Sequence, residues 1–96
     1  MTAAEKTRLL AELVPWEGAR CFEPLTNLAH AGEVLEAMRA KGWHAVMLCP
    51  ASGRHYCDFY QGPMTNRDSA PDGHESLATA ICHAALLAEG VREEEL

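Results

Sequence analysis

The sequence predicts a small α+β fold, an α/β sandwich in which three helices accompany an antiparallel two- or three-stranded sheet in the order α-α-β-β-α. Three observations predict it. Two segments with helical apolar spacing come first. Two alternating segments follow, separated by only four turn-forming residues. A last helical segment, rich in alanine, closes the chain. At 96 residues the chain is read as one domain, 1–96, with a frayed tail at 91–96.

The first helix is expected over about Ala3–Leu13. Thr2 followed by Glu5 fits a capping box, and Leu9, Leu10, Leu13 and Val14 gather on one side. Pro15 ends it, because proline disfavours helical geometry in the residue before it. Residues 15–26 read as a connector, with Trp16 and Phe22 as anchors and a short strand around Arg20–Phe22. The second helix is expected over Leu28–Lys41, capped by Thr26 or Asn27. Its stripe is Leu28, Ala31, Leu35 and Met38, widened by Val34, and Gly42 is a left-handed stop.

Trp43–Cys49 reads as a strand with two apolar faces, one of Trp43, Ala45, Met47 and Cys49 and the other of His44, Val46 and Leu48. That pattern predicts a strand covered on both sides. Pro50–Gly53 is a turn by composition, and Arg54–Gln61 is the second strand of a hairpin. There His55, Cys57 and Phe59 share one face, and Tyr56, Asp58 and Tyr60 the other. Residues 62–74 read as a loop, with Met64–Arg67 able to add an edge strand. The third helix is expected over Ser76–Glu89, lined on one side by Leu77, Ala80, Ile81, Ala84, Ala85 and Ala88, and Gly90 closes it.

Charge narrows the function. The formal net charge is −6, so the surface repels phosphate backbones and argues against direct nucleic-acid binding. No apolar run approaches the ~20 residues of a membrane span, and Met1–Leu13 has no signal-peptide core, so no membrane and a cytoplasmic location in a bacterial host are expected. Four cysteines, Cys21, Cys49, Cys57 and Cys82, then read as reduced thiols packing as small hydrophobes.

A resemblance rests on three stretches. Pro24–Trp43 (PLTNLAHAGEVLEAMRAKGW) precedes the aromatic hairpin HYCDFY, and residues 77–88 read LATAICHAALLA. This pattern resembles the phage α-β-α sandwich domain family, small proteins of tailed phages and prophages. Ala80-Ile81-Cys82 with Ala84-Ala85-Leu86 carries most of it, and the likeness spans about residues 24–90. Leu77-Ala78-Thr79 depart from the pattern, where relatives tend to place proline. The resemblance implies an α/β sandwich and a phage or prophage origin, and it supplies no catalytic residues.

Four constellations are candidates for chemistry. Cys49, His55 and Cys57 on the hairpin are of a type that suits zinc, with Cys82 and His83 on the third helix, but no CxxC pair gives a zinc module. Cys57 with His44 or His55 is a candidate nucleophile pair without an oxyanion hole. Asp58, Asp68, Asp72 and Glu75 cluster around the loop into the third helix and are candidates for acid–base work, against which capping explains Asp72 and the helix dipole Glu75. Tyr56 and Tyr60, if they share an exposed sheet face, make a protein-binding patch; otherwise they cover the first or second helix.

The expected function is therefore a small non-enzymatic phage or prophage accessory protein acting through protein–protein contact, with no cofactor and no metal. Its sharper form is an acidic inhibitor of a host defence system, such as an anti-CRISPR protein, whose binding weakens with salt. The partner-binding candidates are Tyr56, Asp58, Tyr60, Asp68 and Asp72. A Cys/His-based metal-binding regulator or small enzyme, and a phage assembly factor, are the alternatives. A homodimer through the sheet edge or through the alanine-rich third helix is a further expectation.

Overall fold

The computed structural model describes residues 1–14, 22–62, 64–66 and 73–96. The expected anchor Trp16, Cys21, Asp68 and Asp72, and most of the expected Arg20–Phe22 strand, lie outside them. Three helices and a three-stranded antiparallel sheet follow one another as the sequence predicts: α1 (Ala3–Leu13), α2 (Leu28–Ala40), β1 (His44–Leu48), β2 (Tyr56–Gln61), β3 (Met64–Asn66) and α3 (Leu77–Ala88).

Each helix begins on a side-chain oxygen. The Thr2 hydroxyl accepts from the Glu5 amide at 3.2 Å, the Asn27 carbonyl from the His30 amide at 3.2 Å, and the Ser76 hydroxyl from the Thr79 amide at 3.1 Å. Each contact satisfies one backbone donor that the first turn would leave orphaned. The ends of α2 and α3 share one device. Gly42 and Gly90 take positive φ, and the amide beyond each glycine, of Trp43 and of Val91, donates back to Met38 and Leu86.

The hairpin pairs β1 with β2 in the register His44↔Tyr60 through Leu48↔Tyr56, and β2 pairs with β3 on its other side. The turn closes where the Gly53 amide donates to the Pro50 carbonyl at 3.1 Å. Beyond β2, His55 and His74 exchange two backbone hydrogen bonds of 2.9 Å, which leads the chain back beside the sheet toward α3. Gly73 sits there at φ +72°. A Cβ on it would stand 2.8 Å from the Tyr56 ring, so only glycine lets this segment lie flat against the tyrosine.

The core lies between one face of the sheet and the helices. Phe59 and Cys57 point inward from β2 and meet α3. Leu10 and Val14 of the α1 end, and Ala31, Val34 and Met38 of α2, complete it. α3 is buried on nearly every side, Ala78, Cys82 and Leu86 included, and not along the single stripe the spacing suggests. The helix lies between the sheet and both other helices, so its alanines permit close approach in several directions. That use of α3 inside the fold removes the alanine-rich helix as a dimer surface.

Two further expectations, on β1 and on Leu28, are corrected. β1 is an edge strand with one side open: Val46 is 45% exposed, Met47 40% and Leu48 60%. Its apolar outer face reflects no covering layer. Leu28 opens α2 but is 54% exposed, because the first helical position lies beyond the sheet and the other helices. The tail forms a 3₁₀ turn at Glu93–Glu95, Val91 and Leu96 pack against the core, and the Met1 ammonium donates to the Glu95 carbonyl at 2.6 Å.

Candidate protein-binding face

Strand alternation sorts the hairpin into two faces. The inner face carries Ala45, Met47, Cys57 and Phe59 toward the helices. The outer face carries His44, Val46 and Leu48 on β1, opposite Tyr60, Asp58 and Tyr56 on β2. The burial of β2 alternates accordingly: Cys57 and Phe59 are buried, while Tyr56, Asp58 and Tyr60 are half-buried. Tyr56 and Tyr60 therefore cover neither α1 nor α2.

The outer face is built from cross-strand pairs. The His44 ring stacks on Tyr60, with centroids 5.2 Å apart and planes inclined 22°. Val46 stands opposite Asp58, and Leu48 opposite Tyr56. Tyr56 is further held by the backbone at Gly73, whose carbonyl accepts from the Arg54 guanidinium at 3.0 Å. Two aromatic rings, each seated on a neighbour, thus lie on β2 beside the two exposed aliphatic side chains of β1. Rigid aromatics with a polar tip are the side chains that contribute most at protein interfaces.

Of the expected partner residues, the structure brings Tyr56, Asp58 and Tyr60 together on this face. It adds His44, Val46 and Leu48. These three were legible as one face of a strand; that the face stays open follows from the described helices packing on the opposite face of the sheet. Asp68 and Asp72 lie outside the described residues. Of the carboxylate cluster, Asp58 sits on the outer face and Glu75 just before α3, and the capping role near Asp72 belongs to Ser76.

The cysteine and histidine candidates separate. Cys49 is exposed, and its Sγ lies 3.3 Å from Nδ1 of His55, across the strands one step beyond the Leu48↔Tyr56 pair. Cys57 shares that face but is buried and turns toward Cys82. His44 sits on the opposite face from Cys57, so those two do not pair. The contact of His55 is with exposed Cys49, while Cys57 lies buried in the core. His83 on α3 meets His74, ring centroids 4.8 Å apart. Among the described residues, no three Cys, His, Asp or Glu side chains converge on a point where a metal ion would sit.

Cys82 is structural. Its thiol donates to the Pro24 carbonyl at 3.2 Å, and the Thr79 hydroxyl donates to the Leu25 carbonyl at 2.9 Å, so the segment before α2 is tied to α3 at two points. Burial, with a smaller contribution from Cys57, pushes the Cys82 thiol up to about 12. A thiol held protonated is no nucleophile.

A second concavity, about 340 Å³, lies between α1 and the end of α3, lined by Leu9, Glu12, Leu13, Leu86, Glu89 and Val91. Glu89 is paired with Lys41 at 2.6 Å, and the described lining residues hold no nucleophile–base pair. No helix among the described residues is long and apolar enough to cross a membrane. No protein-family model, no curated protein and no solved structure matches this chain.

Proposed function

We propose that this chain is a small non-enzymatic accessory protein of a phage or prophage that holds a protein partner on the outer face of its sheet. The observation that carries the reading is the pair of exposed side chains Val46 and Leu48, set beside Asp58 and Tyr56 on a face that no described helix covers. Apolar side chains at two adjacent outward positions of one strand cost solubility and contribute nothing to the core, which lies on the other face. The phage setting rests on the resemblance of Pro24–Trp43 and residues 77–88 to the phage α-β-α sandwich domain family. A host defence complex and a virion component are both partners of this kind.

The test is capture from bacterial lysate and from phage-infected lysate by the tagged chain, read by mass spectrometry beside a Leu48→Ala/Tyr60→Ala double variant. Both positions face outward, so the variant keeps its core. A partner held by the wild-type chain and lost from the variant is the expected result. A partner retained equally by both places the contact elsewhere and overturns the reading.

A further inference from the structure

We propose that β1 pairs edge to edge with β1 of a second copy of this chain, antiparallel and centred on Val46, to make a two-fold dimer with one continuous six-stranded sheet. The inference rests on the same exposed strand as the partner-binding reading, but uses its edge, and the two fail separately.

A sheet edge presents main-chain donors and acceptors to any strand that can lie beside it, and proteins ordinarily blunt such edges with lysine, proline, a bulge or a cover. β1 reads His-Ala-Val-Met-Leu and carries none of the first three. It stands at the end of the sheet order β1-β2-β3, so no described strand lies along its outer edge.

The register follows from symmetry. A two-fold axis through the middle residue pairs all five residues, and every facing pair is then repeated by the operator. On the outer face Val46 meets its own copy and His44 meets Leu48. On the inner face Ala45 meets Met47, a small side chain against a long one. Facing residues share parity in this register, so both sets of helices stay on the same side of the joined sheet.

Charge permits the pairing. Two chains of net charge −6 repel, but β1 carries no acidic or basic residue. The one formal charge on the described strands is Asp58, which stands opposite Val46 and so one strand inward. In the dimer the two Asp58 residues lie three strand spacings apart, roughly 14 Å. That exceeds the screening length of about 8 Å at physiological salt. A second copy fits this edge better than a charged strand, which would set its charges against Val46 and Leu48. A five-residue edge is small beside the ~1,200 Å² of a stable interface, so the dimer forms at about 10–500 μM and is in rapid exchange.

The experiment is a concentration series of the full chain by sedimentation, wild type beside Val46→Lys. Val46 is solvent-exposed, so the lysine leaves the core intact, which unchanged circular dichroism verifies. The wild type passes from monomer to dimer over that range and Val46→Lys remains monomeric. A second measurement fixes the register. In a Cys49→Ser background, Val46→Cys lies across the axis from its own copy at about 5 Å between Cα atoms, within disulfide reach. His44→Cys lies roughly 14 Å from its copy. Mild oxidation links the first at least tenfold faster than the second. A wild-type chain monomeric at about 1 mM, a dimer untouched by Val46→Lys, or equal linking at both positions overturns the proposal. Partner capture lost with Leu48→Ala/Tyr60→Ala, in a chain shown to be monomeric, leaves the partner-binding reading standing alone.

Discussion

Cys82 shows how much one side chain can report about the fold. Its composition-level reading, a small buried hydrophobe, holds: it is fully buried and donates to the Pro24 carbonyl. What composition does not show is the carbonyl, because that partner lies 58 positions away. The folded chain keeps the Cys82 proton to about pH 12, against an ordinary value of 9.0. The unfolded chain loses that proton near the ordinary value. Above it the unfolded state binds fewer protons, so stability is complete below about pH 9 and falls as pH rises toward 12. The gap of about three units bounds the loss at roughly 4 kcal/mol. The readout is a difference between two chains that share every other ionisable group. Denaturant midpoints between about pH 8 and about pH 11 fall more steeply for the wild type than for Cys82→Ala, which starts ~1 kcal/mol lower at neutral pH from lost packing. Parallel curves would show that Cys82 ionises freely in the folded chain.

At the scale of elements, local signals were legible and lateral neighbours were not. The caps Thr2 and Asn27 and the stops Gly42 and Gly90 act through bonds spanning five residues or fewer, so the sequence displays both partners. The alternation of β2 separates Cys57 and Phe59 from Tyr56, Asp58 and Tyr60 for the same reason. β1 misleads because a two-faced apolar strand has two causes, a second covering layer or an exposed contact surface, and side-chain period distinguishes neither. The candidate site follows suit: Tyr56, Asp58 and Tyr60 could be read from periodicity, while the openness of Val46 and Leu48 depends on which face of the sheet the helices cover. α3 combines a local and a distant signal. Ser76 caps it and also donates to the Thr79 hydroxyl at 2.9 Å, and that hydroxyl donates to Leu25 before α2. Ser76→Ala removes the cap and frees the Thr79 hydroxyl from its donor, and lowers stability by about 1–2 kcal/mol in urea titration with an unchanged slope. Ser76→Asp, which still accepts from the Thr79 amide and suits the positive helix end, recovers at least half of that loss. Equal destabilisation by both substitutions would assign the effect to the hydroxyl relay and not to the cap.

For the molecule as a whole, most of the described acidic side chains lie off the candidate face. Glu5 and Glu12 lie on α1, Glu33 and Glu36 on α2, Glu89 at the end of α3, and Glu94 and Glu95 in the tail beside the N-terminus. The described strands carry only Asp58. The sequence expectation of a salt-sensitive acidic inhibitor treats net charge as a property of the whole surface, whereas the described strands contribute one acidic residue to the candidate face. A partner seated on His44, Val46, Leu48, Tyr56 and Tyr60 gains mainly from apolar burial, which salt does not screen. A partner drawn by the helical glutamates gains from charge, and its affinity collapses as the screening length shrinks from about 10 Å at 0.1 M salt to about 3 Å at 1 M. The sheet-face reading therefore predicts that the captured partner's dissociation constant changes less than about threefold over that range, while its association rate slows as steering is lost. Measured by immobilised-partner kinetics, a loss of a hundredfold or more in affinity would move the contact to the helices and restore the electrostatic inhibitor. In that case Glu33→Gln/Glu36→Gln, and not Leu48→Ala, would be the variant that releases the partner.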